Sequence, residues 1–381
     1  MVFTGKAVYD NSVFDDIAED VSDMIGMISP DETPFLDILT QAERPATNVY
    51  HEWLEEKLGP NTVVTSTAVG STTAASSMTV HDGSGNPVAA FLQVGMVLIS
   101  PFNEYVQVSA ISGNDVSFSR AQAGTTATSY GAGGSWDVLS DASLEVFDVG
   151  DDVSRPRVRR GNYCQLFHKD IIVSGTVQAV QMLGGISNEF EHQRQMRLKE
   201  LIRDLEKAVI KGKSLGNTIG SASAYRTFNG VLAQITTNVT SAGSITTSVL
   251  DTAIRNAWTQ GGFQSGRGVI VCDALSKGDI SGFNNSRIQV IQRDTGYVQN
   301  VTMYENDFGS FELQLNRYMP TRSAMVVDPA KIKVLPLAGR SFQYLPVART
   351  GDSERGTILG EYVVQMFNEE GSARIHNGVF V

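Results

Sequence analysis

The feature that most constrains the fold is a long stretch, residues 187–211, that contains neither glycine nor proline. Its large apolar residues recur at helical spacing: Phe190, Leu198, Leu201, Leu205 and Val209. This spacing predicts one amphipathic helix, the longest of the chain, with a single apolar stripe. Arg203 and Glu206 are three residues apart and are expected to form a modest surface pair. Gly212 is a favourable residue for ending the helix.

A second region, at about residues 60–150, has a different pattern that predicts β structure. The segments GMVLIS, EYVQVSAI, DVSFSR and SWDVLS are short and strand-like, and SGND predicts a tight hairpin turn between two of them. The segment before them is rich in Ser, Thr, Gly and Ala, which favours strands with wide loops over helix. We therefore expect a compact all-β insertion, such as a small barrel.

The remaining segments alternate and predict an α+β protein. TTSVLDTAIRNAWTQGG is a predicted helix, GVIVCD a buried strand, and VTMYENDFGSFELQLN a hairpin around DFGS. The chain then continues through the strands SAMVVD and IKVLPL, the loop TGDSER and the long strand TILGEYVVQMFN. The turn EEGS and the strand ARIHNGV follow.

The first fifty residues have no dense apolar core of their own. A helical spacing joins five apolar residues: Val13, Ile17, Val21, Met24 and Ile28. Pro30 and Pro34 are expected to break this helix. The segment is predicted to be an arm that lies on another surface. We expect no signal peptide, and no apolar run reaches membrane-spanning length.

Composition limits the function classes. The formal net charge is −11 and the pI is about 5.0, which argues against a surface that tracks a nucleic-acid backbone. This charge is compatible with a protein that encloses nucleic acid without binding it tightly. Cys164 and Cys272 are far apart in apolar, strand-like segments. They are expected to be buried thiols in a reducing compartment, not a disulfide.

Motifs for common enzyme chemistry are absent from the sequence. The five histidines are isolated and HEWLE lacks the second histidine of a zinc-binding HExxH, so we expect no metal site. There is no GxxxxGK[ST] motif and no GxSxG motif. GGFQSGRG precedes a strand instead of opening a helix, which is the wrong context for binding phosphate, so it is interpreted as a flexible loop.

Five carboxylates near the C-terminus are the one candidate for acid–base catalysis: Asp352, Glu354, Glu361, Glu369 and Glu370. A hydrolase acting on glycans with a carboxylate pair, such as one including Glu361 or Glu369, is a minor alternative. Asp352 and Glu354 are predicted to lie in a loop, and Glu369 and Glu370 in a turn. Glu361 lies on a strand with two apolar faces and therefore needs a buried partner.

Two charge clusters are the other candidate functional residues. One is acidic, with Glu52, Glu55 and Glu56; the other is basic, with Arg155, Arg157, Arg159 and Arg160. They lie on strand-like segments on either side of the β insertion, which could pair as an antiparallel stem. They are either solvated edges, where single pairs contribute about 0–1 kcal/mol, or subunit contacts in which arginine binds carboxylates. Contact with DNA phosphate is a weaker alternative.

Five sequence blocks, in their order along the chain, resemble one known family. The blocks are TPFLDIL…TNVYHEWLEEKL, NYCQLFHKDIIVSGTVQAV, ELIRDLEKAVI, NDFGSFELQLNRYMP and YLPVARTGDSERGTILGEYVVQMFNEEGSARIHNG. Together they resemble the major capsid proteins of tailed bacteriophages with the Hong Kong 97 (HK97) fold. The resemblance covers nearly the whole chain, and the departure from the family is the large insertion at about 60–150.

The resemblance implies an organisation of the chain. It implies an N-terminal arm at 1–47, lying along a neighbouring subunit, and an E-loop at 48–172 that extends over another. It implies a peripheral domain at 173–225 and 326–381, with 187–211 as the spine helix. It also implies an axial domain at 226–325 that points to the centres of hexamers and pentamers.

The resemblance also implies a function without catalysis or cofactor. The chain would assemble with itself into an icosahedral head around double-stranded DNA, in the virion, after assembly in the cytoplasm of the host bacterium. Portal, scaffolding and decoration proteins would be partners, and no membrane is implied. Asp352 and Glu354 would meet Arg or Lys of this or a neighbouring subunit. A tail-tube or decoration protein is the closer alternative, although the long helix argues against it.

Overall fold

The computed structural model divides the chain into two compact units. One unit joins Met1–Trp53 to Arg160–Val381, and the other is Leu54–Arg159. The structure describes residues 32–41, 44–56, 58–70, 76–81, 88–142, 145, 157–180, 188–216, 219–221, 223–264, 266–284, 302–349 and 351–378. The predicted helix at 13–28 lies outside these residues.

The described residues form six α-helices. They are α1 (Pro34–Ile38), α2 (Gly175–Ala179), α3 (Glu189–Lys211), α4 (Val231–Gln234), α5 (Thr247–Thr259) and α6 (Ala274–Ser281). Across the described part of the chain, no helix has the length and hydrophobicity that spanning a membrane requires.

The described residues also form nineteen strands. In chain order they are β1 (Thr40–Gln41), β2 (Tyr50–Glu55), β3 (Thr62–Thr65), β4 (Ser76–His81), β5 (Val97–Ile99), β6 (Tyr105–Ser112), β7 (Asp115–Gln122), β8 (Ser135–Ser140), β9 (Val158–Tyr163), β10 (Gln165–Ser174), β11 (Val239–Ser241), β12 (Arg267–Cys272), β13 (Met303–Asn306), β14 (Gly309–Leu315), β15 (Ala324–Val327), β16 (Ile332–Pro336), β17 (Gln343–Val347), β18 (Ser353–Met366) and β19 (Ala373–His376).

Helix α3 confirms the predicted long helix. Asn188 caps its N-terminus, since the side-chain oxygen accepts a hydrogen bond from the backbone N–H of Glu191. Its C-cap is Gly212, whose backbone N–H donates to the carbonyl of Ala208. The predicted apolar stripe is buried except at Leu198, which is 37% exposed because the packed face is narrower than the spacing suggested.

A five-stranded sheet packs against α3. Its order is β1-β16-β18-β10, and β17 also pairs with β18. The long strand β18 is antiparallel to β10, β16 and β17. Buried residues of α3 and of this sheet belong to one apolar core. Strand β18 begins at Ser353, so the prediction of a loop at Glu354 is wrong: pairing with β10 extends the strand as far as Ser353.

A six-stranded mixed sheet forms the second layer of the same unit. Its order is β11-β19-β15-β12-β14-β13. Helix α5 buries Leu250, Ile254 and two alanines in the core on this sheet. The GGFQSGRG segment was expected to be a flexible loop, but part of it is fixed in the core. Phe263 is 2% exposed, and its ring packs edge-on against the ring of Phe311, with 5.0 Å between the ring centroids.

The described part of the arm contains a short helix that the sequence did not predict. Pro34 starts α1 as its first residue, a position where the missing N–H of proline costs nothing. Whether the prolines break the helix predicted at 13–28 stays a prediction, since that helix lies outside the described residues. Phe35 is fully buried in the core that contains α3. Strand β1 runs parallel to β16. This described part of the arm therefore packs on its own subunit, and a contact of the remaining arm with a neighbour stays a prediction.

The unit Leu54–Arg159 contains a closed barrel with the strand order β3-β4-β7-β6-β5-β8. Its core is a separate cluster that includes Met78, Phe118 and Trp136. Strands β6 and β7 form the hairpin predicted at SGND, with Gly113 at φ 62°. The predicted all-β insertion is thus a small barrel with an apolar core of its own.

Candidate functional site

The two charge clusters predicted to pair do lie on paired strands. Strands β2 and β9 form a two-stranded sheet at the point where the chain passes between the two units. We call residues 50–56, Leu58 and residues 157–163 the charged ribbon. Its exposed charged residues are Glu52, Glu56, Arg157, Arg159 and Arg160, and Glu55 is half-buried. Arg155 lies outside the described residues.

One end of the charged ribbon is anchored by aromatic packing. The rings of Tyr50 and Tyr163 are 4.6 Å apart. The ring of Tyr50 lies so close to Gly161 that a Cβ there would come within 2.6 Å of it. Trp53 is 8% exposed and contacts the ring of Phe367. This end of the ribbon is therefore fixed in the larger unit.

The other end of the charged ribbon is poorly stabilised within the subunit. Arg157 Nε lies 3.5 Å from Glu56 Oε2, but both side chains are more than 60% exposed. Such a pair contributes about 0–1 kcal/mol. Leu54, Leu58 and Val158 also expose half or more of their surface. Because an isolated two-stranded sheet is at best marginally stable in water, this end needs a further surface to pack on.

Glu361, predicted to need a partner, has two. Its side chain is buried, and Oε2 accepts a hydrogen bond of 2.8 Å from Arg226 Nη2. Oε1 lies 2.6 Å from Arg340 Nε, an ion pair without the alignment of a hydrogen bond. Two arginines compensate for the burial of this carboxylate, which explains how it can lie on an apolar strand.

Arg226 also joins Glu361 to Cys164. Its Nε donates a hydrogen bond to the carbonyl of Cys164, and Nη1 donates to the carbonyl of Ile219. Both cysteines are free and buried, as predicted. Burial raises the pKa of the Cys164 thiol to about 11 and that of Cys272 to about 12. Neither thiol is therefore an activated nucleophile.

Asp352 and Glu354 contact α2, at Gly175 and Gln178 respectively. Glu354 Oε2 accepts a hydrogen bond of 2.8 Å from Gln178 and lies 3.7 Å from Arg349. The carbonyl of Asp352 accepts from the Gly175 N–H, and its carboxylate lies over Gly175. These are contacts within one subunit, so an additional role for the two residues between subunits stays a prediction.

The described contacts of Glu369 hold two threonines. Glu369 accepts hydrogen bonds from the backbone N–H and the hydroxyl groups of both Thr236 and Thr237. Glu361 is occupied by two arginines. Within the described ranges, no group of three His, Cys, Asp or Glu side chains is arranged to hold a metal ion. The carboxylates with described contacts hold chain segments together.

Glu206 is an important residue that the sequence interpretation placed wrongly. It is fully buried, and its carboxylate accepts hydrogen bonds from the backbone N–H groups of Phe35 and Leu36 and from Asn316. The predicted surface pair with Arg203 is therefore wrong. The i,i+3 spacing describes only the local helix, whereas these partners lie 110 or more residues away.

The architecture defines a class of protein. A long helix on a five-stranded sheet, a second layer of a mixed sheet with helices, and a charged ribbon together form an HK97-like capsid fold. The structure of this chain is similar to that of the capsid of Myoviridae phage XM1, with a TM-score of 0.50 and 7% sequence identity. The similarity covers 97% of this chain and 99% of the phage XM1 chain. The chain belongs to the SU10 major capsid protein family, whose model matches residues 3–378.

Other solved structures are similar at lower scores. A chain of Microbacterium phage Oxtober96 has a TM-score of 0.48 and 11% identity, covering 94% of this chain and 96% of its own. The SrpI encapsulin of Synechococcus elongatus PCC 7942 has a TM-score of 0.41 and 9% identity, covering 58% and 77%. No curated protein sequence matches the chain.

Membership of the family establishes the general function. The chain is a major capsid protein: a structural protein of the virion that associates with copies of itself to form an icosahedral shell. The expected HK97-like α+β fold and capsid-forming function are thereby confirmed.

Proposed function

We propose that the chain forms hexamers and pentamers of a phage head that encloses double-stranded DNA. In this proposal the charged ribbon, together with Asp352 and Glu354, contributes contacts between subunits. The domain limits are those that the family resemblance implies, with an arm at 1–47, an E-loop at 48–172 and an axial domain at 226–325. Portal, scaffolding and decoration proteins are proposed as partners, and the host bacterial cytoplasm as the place of assembly.

The charged ribbon is the observation that carries this proposal. It has exposed rows of opposite charge, exposed leucines and a valine, and no third strand within the described residues. The ion pair between Arg157 and Glu56 is too exposed to stabilise its outer end appreciably. A neighbouring subunit that covers the ribbon would bury these leucines and convert exposed charges into desolvated arginine–carboxylate pairs.

The charge of the protein supports enclosure of DNA without tight binding. At a net charge of −11, the protein as a whole repels a polyanion at long range. The two free, buried cysteines are compatible with assembly in a reducing cytoplasm.

The proposal is tested by reversing the basic cluster. The variant R155E/R157E/R159E/R160E is expected to remain folded, because the described arginines of this set are exposed. It is expected to sediment as free subunits under conditions in which the wild type forms shells, since four repulsive charges per subunit replace attractive ones.

A charge-conserving variant is the matched control. Arg→Lys at the same four positions keeps the charge and loses only the bidentate hydrogen bonds of arginine, so assembly should be weakened and not abolished. Circular dichroism and electron microscopy separate folding from assembly. Shells of wild-type yield from the folded Glu variant would contradict the role of the ribbon.

A further inference from the structure

The sequence contains two Asn–Gly dipeptides, Asn229–Gly230 and Asn377–Gly378. In such a dipeptide the backbone nitrogen of the glycine can attack the amide carbon of the asparagine side chain, because no Cβ on the glycine hinders the approach. The attack closes a succinimide ring and releases ammonia. The fold gives the two dipeptides very different surroundings.

The first dipeptide is held rigidly and has no base at the reacting nitrogen. Asn229 Oδ1 accepts a hydrogen bond of 2.8 Å from the Ser214 N–H, and the Asn229 carbonyl accepts one of 2.8 Å from Asn162 Nδ2. The Gly230 N–H, whose proton would have to leave, donates to the carbonyl of Gly212. A Cβ on Gly230 would lie 2.6 Å from a backbone oxygen of α3, so the site is also crowded. We expect this dipeptide to be protected.

The second dipeptide lies at the open end of β19, which finishes at His376. Asn377 is half-buried, and within the described residues no hydrogen bond involves its side chain. Gly378 is exposed and has a φ of 86°, and a Cβ there would have no neighbouring atom within 4 Å. Nothing described therefore keeps the side-chain amide of Asn377 from the nitrogen of Gly378.

His376 places a base on the reacting nitrogen. The Gly378 N–H donates a hydrogen bond of 2.9 Å to His376 Nδ1, which is within the distance over which a general base takes a proton. An imidazole that accepts through Nδ1 is neutral and carries its proton on Nε2. Burial, and then the positive charge of Arg374 on the same strand, lower the pKa of His376 below its usual value. The ring is therefore in its basic form at neutral pH.

We propose that the folded chain deamidates Asn377, with His376 as the general base. The nitrogen of Gly378 forms a bond to Asn377 Cγ while His376 Nδ1 takes the proton of that nitrogen. The Cγ–Nδ2 bond breaks, and Nδ2 leaves with the bonding electrons, takes the proton back from the imidazolium and departs as ammonia. Water then opens the succinimide at either of its carbonyl groups and gives aspartate or isoaspartate.

The reaction changes the end of β19 in two ways. Each converted subunit gains one negative charge, and the isoaspartyl product also has one additional carbon atom in its main chain. Strand β19 lies between β11 and β15 in the six-stranded sheet, so the change occurs at the border of that sheet. The chemistry needs only the folded subunit and water, and it does not depend on the proposed assembly.

Mass spectrometry of the purified wild-type protein tests the proposal. The protein is incubated near neutral pH in water enriched in a heavy oxygen isotope, so that only newly formed acid is labelled. Trypsin then releases residues 375–381, which contain Asn377, and residues 227–255, which contain Asn229. Asn377 is expected to deamidate about tenfold or more faster than Asn229 and to give both aspartate and isoaspartate. Equal rates at the two positions, or aspartate alone, would overturn the proposal.

His376→Asn is the matched variant, because it separates the hydrogen bond from the base. The side-chain oxygen of asparagine can accept from the Gly378 N–H much as Nδ1 does, but an amide does not take up the proton. The variant is expected to slow deamidation of Asn377 about tenfold or more, with Asn229 in the same sample as the reference. An unchanged rate in H376N would show that His376 is not the base.

Unfolded wild-type protein provides a second control that needs no variant. In concentrated urea the packing around Asn229 and the hydrogen bond to His376 are both lost. The rates at Asn229 and Asn377 are therefore expected to become similar. A difference as large as in the folded protein would mean that neighbouring residues in the sequence set the rate, and would overturn the role of the fold.

Discussion

The barrel and the charged ribbon differ in whether the edges of their strands are paired. The barrel closes, so each of its six strands has a neighbour on both sides. The ribbon has two strands and, within the described residues, no third. The barrel also has its own apolar core, whereas the ribbon exposes Leu54, Leu58 and Val158. The first element is complete within one subunit, and we propose that the second is completed by a neighbouring one.

The same contrast holds for their charges. In the barrel, Arg120 and Glu104 are fully buried and joined by two hydrogen bonds, of 2.9 and 2.6 Å. Tyr130 and the backbone N–H groups of Ala121 and Thr128 donate further bonds to Glu104. In the ribbon, Arg157 and Glu56 are exposed. Buried charges here stabilise one subunit, and exposed charges remain available for contacts between subunits.

The largest stability effect is expected from breaking the buried pair of the barrel. Glu104→Ala leaves Arg120 buried without its carboxylate, which should destabilise the barrel by about 3–5 kcal/mol. Hydrogen exchange of β6 and β7 in the full chain measures this loss. The control E104L/R120M removes both charges and should be much closer to wild type. An equal loss in both variants would contradict the assigned role of the pair.

A somewhat smaller effect is expected from the buried carboxylate of α3. Glu206→Ala removes the acceptor for Phe35, Leu36 and Asn316, at a cost of about 3 kcal/mol for buried donors without a partner. Amide exchange in α1 should accelerate while exchange in the barrel does not change. Protection of α1 equal to wild type would show that Glu206 does not hold this part of the arm.

The two buried glutamates should respond oppositely to pH. Burial would raise the pKa of Glu104, but bonds from Arg120, Tyr130 and the backbone outweigh it and lower the pKa below 4.5. Its stabilisation is therefore present above pH 4.5 and lost as the pH falls through the lowered pKa. Burial raises the pKa of Glu206 above 4.5 despite three donated bonds. Its contribution is present below pH 4.5 and lost as the pH rises through the raised pKa.

Hydrogen exchange of the barrel and of α1 between pH 4 and pH 8 checks these signs, after correction for the intrinsic exchange rate. E104L/R120M should remove the acid-dependent increase of exchange in the barrel. Glu206→Gln should remove the pH dependence of exchange in α1. The same direction of change in both regions would refute the assignment.

The smallest effect is expected in the charged ribbon of the free subunit. A double-mutant cycle of Arg157→Ala and Glu56→Ala should give a coupling of only about 0–1 kcal/mol, because both side chains are exposed. Urea denaturation of unassembled protein measures it. A coupling well above this range would mean that the ribbon is stabilised within one subunit.

Local patterns in the sequence predicted the elements that depend on near neighbours. Helix α3 follows from its apolar spacing, and the hairpin of β6 and β7 from SGND. The barrel strands were predictable for the same reason, and their number and short length suggested a small barrel. The need of Glu361 for a partner also followed from its strand.

The distant partners of individual buried side chains were not predictable. Arg226 lies 135 residues from Glu361, and no local pattern connects them. Glu206 resembles a surface residue in its own helix, and only the fold brings Phe35 to it. Pro34 shows a further limit, since proline both ends helices and begins them.

Hydrogen exchange of the charged ribbon before and after assembly tests the central claim most directly. In free subunits the amides of β2 and β9 around Leu54 and Val158 should exchange much faster than those of β6 and β7 in the barrel. In assembled shells the ribbon amides should become strongly protected, while those of the barrel change little. Ribbon amides that exchange equally fast in both states would contradict the proposal that neighbouring subunits cover the ribbon.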